Sequence, residues 1–194
     1  MSNTPGTASP EAASLIQRAQ TLLSTALDSR DAPCRYPVLA TADGAGGVNA
    51  RVLILRAFNS ANWQVMLHTD RRSAKMSEIA GSGAASLVFY DHASALQLRM
   101  KGIVTVGEDE GARARVWKSL PDSNKTNYRS AEPPGTFLEK PGPRPGEGEG
   151  GDGFENFAVL CFAPDSIDIL ALSPAGNRRY RFETGRSRGS WLVP

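Results

Sequence analysis

The sequence predicts a small antiparallel β-barrel with a few flanking helices. Three observations favour this class: about eight short apolar segments have the character of strands, short polar turns join most of them, and few helical patterns interrupt the series. With 194 residues and 40% hydrophobic side chains, the chain fits one domain with a sizeable core. We therefore expect residues 1–10 to form a flexible tail and residues 11–194 to form a single domain.

Two longer segments have the period of amphipathic helices. In the first, residues 11–30, apolar residues recur at helical spacing, Ser9 is placed as an N-cap and Pro10 suits the first helical position. The second, residues 108–120, begins with three acidic residues, which are favourable at a helix N-terminus. A shorter helix is expected over residues 73–80.

The predicted strands are short apolar or alternating runs, most of them separated by turn residues. They span residues 36–42, 48–58, 63–69, 84–90, 96–106, 157–164, 166–172 and 177–183. The segment 133–153 consists largely of Pro, Gly and charged residues. Because it has almost nothing to bury, we expect an exposed, mobile loop there.

Composition argues against several classes of function. The net charge of +2 provides no strong field for nucleic acid or for an anionic membrane. His68 and His92 are the only histidines, and the two cysteines lack C-x-x-C spacing, so no zinc ligand set can be written. Neither cysteine has an obvious histidine partner in the sequence, so a nucleophilic hydrolase is not predicted. The start lacks the order of a signal peptide and no run approaches a membrane span, so a cytoplasmic protein is predicted.

A cluster of basic residues is the candidate site that spacing alone suggests. Its members lie at both ends of one aliphatic run and in the turn and helix after the next strand: Arg51, Arg56, Arg71, Arg72 and Lys75. Guanidinium groups match phosphate oxygens in pairs, and a helix that begins near Ser73 would add backbone N–H groups. The hydroxyls of Thr69 and Ser73 could complete such a phosphate site. The alternative, that these are solvated strand-end arginines, stays open on spacing alone.

Three segments carry a resemblance to a known family. In chain order, RVLILR (51–56), LHTDRRSAK (67–75) and QLRMKG (97–102) resemble the FMN-binding segments of the pyridoxamine 5′-phosphate oxidase family. The family patterns are typically R-x-V-L-L-K, F-Y-T-N-x-x-S-R-K and Q-V-R-x-x-G. The resemblance covers roughly residues 36–106 and resumes loosely from Phe157 onward.

This resemblance implies an antiparallel, Greek-key-like split β-barrel that forms a homodimer with FMN at the subunit interface. The residues implied to bind FMN are Arg51, Val52, Leu53, Ile54, Leu55, Arg56, His68, Thr69, Ser73, Lys75, Gln97 and Arg181. Lys75 would hold the phosphate, and Gln97 would come from the facing subunit. Because the flavin carries the redox chemistry, no catalytic side chain is implied.

The chain departs from the family where it would hold the cofactor phosphate. Ala74 stands at the position of a phosphate-binding arginine, although Arg71 or Arg72 could reach in from the preceding turn.

The departures are larger at the expected substrate positions. Asn177 and Arg179 stand where the family has an arginine and a histidine. The family's substrate-clasping tyrosine, arginine and serine are not all restored in any register of residues 116–130. Arg56 and Arg179 are the residues we expect to meet an anionic substrate. These differences resemble a divergent branch of oxidase-related FMN-binding proteins.

The leading hypothesis is therefore an FMN-dependent oxidoreductase with a divergent pocket for a small molecule, and a phosphorylated B6 vitamer is one candidate substrate. One alternative is a genuine pyridoxine/pyridoxamine 5′-phosphate oxidase with a rebuilt substrate site. Another is a barrel that binds flavin or haem without catalysis, because a fold alone does not fix function. A nucleic-acid-binding barrel is disfavoured by the near-neutral charge.

Overall fold

The computed structural model describes residues 8–107, 109–140, 151–186 and 189–194. Its helices are α1 (Pro10–Thr25), α2 (Lys75–Gly81), α3 (Glu110–Ser119) and α4 (Asp122–Lys125). Its strands are β1 (Val38–Ala42), β2 (Val48–Val52), β3 (Leu55–Asn59), β4 (Gln64–Asp70), β5 (Ala84–Asp91), β6 (Leu96–Val106), β7 (Phe157–Ala171), β8 (Arg178–Glu183) and β9 (Ser190–Leu192). Short 3₁₀ turns lie at Pro33–Arg35 and Thr126–Tyr128.

All the strands belong to one antiparallel sheet organised around β7. The order is β2-β1-β5-β6-β7-β4-β3, with β8 also on β7 and β9 on β8. The strand β7 pairs with β6 along nearly its whole length. Its other edge pairs first with β4, through residues 157–162, and then with β8, through residues 166–171. The predicted class, mainly antiparallel β with a few flanking helices, is confirmed.

The prediction of one strand over residues 48–58 is wrong. The run breaks after Val52, and residues 53–54 lie outside any strand. The first part, β2, pairs with β1, whereas the second part, β3, pairs with β4. Since β2 and β3 stand at opposite ends of the strand order, RVLILR connects the two edges of the sheet. Arg51 and Arg56 therefore belong to different strands.

The opposite error occurs at residues 157–172, where two predicted strands form the single strand β7. Pro164 interrupts the pattern because it has no N–H to donate. The structure accommodates it with a bulge: Lys101 pairs with Ser166 and Gly102 with Pro164, which leaves Asp165 as the extra residue. At Gly102 a Cβ atom would lie 2.6 Å from the Pro164 Cα, so only glycine fits this close approach.

The helix α1 begins as predicted and ends earlier. The Ser9 hydroxyl accepts a hydrogen bond from the first turn at 3.3 Å, and Pro10 is the first helical residue. The helix ends at Thr25, and the Arg35 guanidinium donates to the carbonyls of Ala26 and Leu27 at 3.1 and 2.8 Å. These bonds satisfy acceptors that a continued helix would otherwise use.

The remaining predicted elements shift by a few residues. Helix α2 begins at Lys75 rather than at Ser73, and the predicted start of α3 at Glu108 lies outside the described residues. The strand β9 was not predicted, because three exposed residues carry no periodic signal. Of the expected loop, residues 133–140 are exposed, and residues 141–150 lie outside the described part of the chain.

Two hydrophobic clusters fill the interior. The larger packs α1 against the sheet and includes Leu23, Leu67 and Phe162, all fully buried. A smaller cluster under α3 consists of Trp117, Tyr128, Phe157 and Val159. Among the helices of the described residues, none combines the length and apolar character needed to cross a bilayer.

A candidate cofactor site

The first part of the site is a lysine held by two buried hydroxyl groups, at the junction of β4 and α2. Lys75 Nζ donates to Thr69 Oγ1 at 3.0 Å and to Ser73 Oγ at 2.7 Å. Thr69 and Ser73 are both buried. Burial, and then the nearby charge of Arg51, lower the pKa of Lys75. The ammonium group and the two hydroxyls form what we call the cradle, a set of groups suited to a phosphate.

Arg51 approaches the cradle from β2. Its guanidinium donates to the Thr41 hydroxyl and, at 2.9 Å, to Glu78 Oε2. Its side chain is about one-fifth exposed, since the relative accessibility is 21%. The two cations of the predicted cluster that the resemblance assigns to the phosphate, Arg51 and Lys75, are thus brought together.

The two arginines of the turn before α2 behave differently. Arg72 donates from Nε and Nη2 to the Asp70 carboxylate at 3.1 and 2.7 Å. Its Nη1 donates to the carbonyls of Ser130 and Ala131, so all three nitrogens of this guanidinium are already hydrogen-bonded. Arg71 is exposed in the turn that precedes the helix of Lys75. Of the two, Arg71 is the better candidate to take the place of the arginine missing at Ala74.

The second part of the site is a group of polar side chains, and Arg56 is its first member. This residue is the extra one of a β-bulge, because Leu55 pairs with Leu67 while Ala57 pairs with Met66. Bulges often redirect a side chain beside a functional site. Burial is the main cause that lowers the pKa of Arg56, and its buried Nε has no hydrogen-bond partner.

His68 is the second member of this group. It is 91% buried, since its relative accessibility is 9%, and both ring nitrogens lack a partner. Its ring meets Phe157 edge-on, with centroids 4.9 Å apart. Burial and then the charge of Arg56 lower the pKa of His68 to about 4. Buried polar atoms without partners are uncommon in native proteins, so these nitrogens fit a site whose bound molecule supplies the missing hydrogen bonds.

Tyr128 adds a hydroxyl that the sequence analysis did not identify. Burial raises its pKa to about 12, while the charge of Arg56 acts in the opposite direction. Its ring packs edge-on against Phe157, with centroids 5.1 Å apart. Gly153, at φ +87°, lies against this residue, because a Cβ atom there would be only 3.0 Å from the Tyr128 carbonyl. The resemblance assigned Tyr128 no role, because no register of residues 116–130 restores the whole substrate-binding set.

The remaining predicted residues of RVLILR differ in exposure. Val52 is 59% exposed, whereas Leu53 and Ile54 are half-buried. Leu55 is fully buried in the larger cluster. Because its side chain faces the core, Leu55 can contact a ligand only through its main chain.

Gln97 and Arg179 lie far from the cradle within one chain. Both pair with Leu170 near the end of β7, whereas Thr69 pairs with Ala158 near its start. About 40 Å of strand separates these two positions at the usual rise of a β-strand. One chain therefore does not bring Gln97 to Lys75.

Arg179 is engaged with a carboxylate that the sequence analysis missed. Its Nε and Nη2 donate to Asp168 at 3.0 and 2.7 Å, and Arg99 donates to the same carboxylate at 2.8 Å. Burial would raise the pKa of Asp168, but these hydrogen bonds hold it below the ordinary value. Arg181, on the same strand, donates to Ser166 at 3.2 Å. The contact of Arg179 with a substrate remains a prediction.

The pKa of His68 predicts a pH-dependent stability. The unfolded chain binds a proton at His68 near pH 6.5, whereas the folded chain does so only near pH 4. The free energy of unfolding should therefore fall by about 3 kcal/mol, in order of magnitude, as the pH drops from about 6.5 to about 4. We expect His68→Gln to remove this part of the pH dependence in urea unfolding of the cofactor-free protein. The exposed His92→Gln is the matched control; if both variants keep the wild-type profile, the assignment to His68 is wrong.

Part of the chain matches a known family of FMN-binding domains. Residues 17–108 match the family model of the pyridoxamine 5′-phosphate oxidase FMN-binding domain. A pyridoxine/pyridoxamine 5′-phosphate oxidase of Ruegeria sp. (strain TM1040) is 37% identical over 67 residues, which is 34% of this chain and 32% of that protein. The match thus spans about a third of that relative's length.

Solved structures extend the likeness over nearly the whole chain. A pyridoxamine 5′-phosphate oxidase-related, FMN-binding protein from Nostoc punctiforme PCC 73102 has a TM-score of 0.73 at 26% identity, and the match covers 92% of this chain and 96% of that one. PhzG from Burkholderia lata 383, solved with tetrahydrophenazine-1-carboxylic acid, has a TM-score of 0.71 at 21% identity, with 92% of each chain covered. The second likeness shows the fold alone. Over residues 17–108, and in its overall fold, the chain is thus similar to pyridoxamine 5′-phosphate oxidase-related, FMN-binding proteins.

Proposed function

We propose that this protein binds FMN and acts as an FMN-dependent oxidoreductase on a small molecule. The observation that carries the proposal is the cradle, where Lys75 Nζ lies within 3.0 Å of two buried hydroxyl oxygens and close to Arg51. Two cations and two hydroxyls suit the phosphate of the ribityl chain. The cradle also lies within the matched FMN-binding domain.

A second copy of the chain would complete the site. Because Gln97 lies far along β7 from the cradle, its predicted contact with the flavin requires another subunit. An apolar strip on the outer face of the sheet could form part of such an interface. It runs across β2, β1 and β5, where Val52 pairs with Val38 and Val38 with Val88. A homodimer in the cytoplasm is therefore part of the proposal.

The chemistry divides between the cofactor and the chain. FMN would supply the two-electron redox step, so the protein's task is to bind and orient. Arg56 presents a buried N–H that suits an anionic group of the substrate. His68, kept neutral by burial beside Arg56, offers one donor and one acceptor. The phenol of Tyr128 is protonated at neutral pH and can donate or accept a hydrogen bond.

A genuine pyridoxine/pyridoxamine 5′-phosphate oxidase is a second candidate, and Tyr128 favours it. The resemblance calls for a substrate-binding tyrosine after the middle helix, and Tyr128 follows α3 and α4 at a position close to Arg56. The arginine and serine of that set are not restored together with this tyrosine. We therefore expect a different substrate.

Oxygen uptake by the FMN-loaded protein separates these functions. We expect little or no pyridoxal 5′-phosphate from pyridoxamine 5′-phosphate, but reduction of the bound flavin by another amine or alcohol donor. Rapid formation of pyridoxal 5′-phosphate, lost in Arg56→Met, would establish the second candidate instead. If the flavin stays bound but no donor in a broad panel reduces it, both candidate activities are contradicted. A barrel that binds flavin without catalysis would then be favoured.

A further inference from the structure

A buried carboxylate, Glu78, lies beside the cradle. Its side chain is only 7% exposed on helix α2. It accepts hydrogen bonds from Arg51 Nη2 at 2.9 Å, from Asn49 Nδ2 at 2.7 Å and from the Thr41 hydroxyl. The sequence analysis assigned no role to Glu78, because a lone glutamate in a short helix resembles any solvated helix residue.

The position of this carboxylate is electrostatically unexpected. Burial alone would raise the pKa of Glu78, but hydrogen bonds from Thr41, Asn49 and Arg51 lower it below its ordinary value. Glu78 is therefore ionised at neutral pH, next to a site that we propose holds a phosphate. A carboxylate there repels the phosphate, so its presence needs a compensating benefit.

The contacts of Arg51 indicate what that benefit is. Arg51 lies on β2, which forms an end of the strand order and whose other residues are exposed. A long side chain on such a strand has many rotamers, and fixing one of them costs conformational entropy when a ligand binds. Glu78 holds Nη2 of Arg51, and Thr41 holds Nη1.

The anchored guanidinium still has donors to offer. It carries five N–H bonds, and the two contacts to Thr41 and Glu78 use only part of them. A preorganised guanidinium loses less entropy when it binds a phosphate, which can outweigh the repulsion from one carboxylate already paired with Arg51.

We propose that Glu78 is a positioning residue that holds Arg51 ready for the cofactor phosphate, an inference that rests on the proposed FMN site. Asn49 and Thr41 orient the Glu78 carboxylate in turn. Arg51 and the cradle then offer the phosphate a fixed guanidinium on β2 and a fixed ammonium on α2.

Binding of FMN and of riboflavin to Glu78 variants tests this role, because riboflavin lacks the phosphate. We expect Glu78→Ala to raise the Kd of FMN about 10-fold, because Arg51 must then be ordered when the phosphate binds, and to leave the Kd of riboflavin within about twofold. Glu78→Gln should restore most of the FMN affinity, because its amide oxygen can still accept from Arg51. Glu139→Ala, which removes an exposed carboxylate, is the matched control.

The double variant Arg51→Ala/Glu78→Ala provides a further check. If Glu78 acts through Arg51, the double variant binds FMN no more weakly than Arg51→Ala alone. Additive losses would show an independent role and overturn the inference.

Three results would contradict the proposal in different ways. Unchanged or tighter FMN binding by Glu78→Ala would mean that the carboxylate does not position Arg51. Equal weakening of FMN and riboflavin would indicate a role in the fold rather than at the phosphate. If the wild-type protein binds neither flavin, the proposed function fails first and the inference falls with it.

Discussion

Replacing Arg51 and Lys75 together with alanine is expected to raise the Kd of FMN about 100-fold or more, since charge-assisted hydrogen bonds contribute about 1.5–3 kcal/mol each. Lys75 is the cation held by the buried hydroxyls, and Arg51 is the cation that Glu78 anchors. Riboflavin binding should change little, because the cradle contacts only the phosphate in our account. Isothermal titration with both flavins measures the difference.

The matched control removes one arginine and one lysine elsewhere. Arg115 and Lys118 are both exposed on α3, so the double variant Arg115→Ala/Lys118→Ala changes the net charge equally without touching the cradle. An FMN affinity that is the same in both double variants would refute the assignment of Arg51 and Lys75. A circular dichroism spectrum of each variant confirms that the fold is retained.

Phe157→Ala is expected to lower the free energy of unfolding by about 3–5 kcal/mol, because a fully buried phenylalanine leaves a cavity. Phe157 is 0% exposed at the start of β7 and lies in the smaller cluster. Its ring packs against Trp117, Tyr128 and His68 with centroids 5.2, 5.1 and 4.9 Å apart. The substitution thus removes the surface that supports the side chains of His68 and Tyr128.

Urea unfolding of the cofactor-free protein measures this effect, with Phe137→Ala as the control. Phe137 is 90% exposed, so its replacement should change the free energy of unfolding by no more than about 0.5 kcal/mol. If the two variants were equally stable, the packing of β7 against α3 and Tyr128 would not be as described.

The phosphate cradle was predictable because its residues are close in sequence. Thr69, Ser73 and Lys75 lie within seven residues at a strand-to-helix junction, so local geometry alone brings them together. The structure of RVLILR was harder to predict. A continuous apolar run has no period that distinguishes one buried strand from two strands joined by a short connection. The place of Arg56 at a bulge depends on pairing with β4, which the run itself does not encode.

The buried carboxylates that pair with Arg51 and Arg99 were not predicted. Glu78 is 27 residues from Arg51, and Asp168 is 69 residues from Arg99. The principle that buried charges are paired indicates that partners exist but does not say which carboxylates they are. The same holds for Tyr128, which meets Arg56 only through the packing of α3 and the following turn on β7.

The visible absorption spectrum of the purified protein, taken after incubation with FMN and removal of the excess, tests the central claim most directly. Our account predicts flavin bands that remain with the protein, and their loss when Arg51 and Lys75 are both replaced. A wild-type protein that emerges colourless would contradict the account, because the cradle would then not hold the cofactor phosphate.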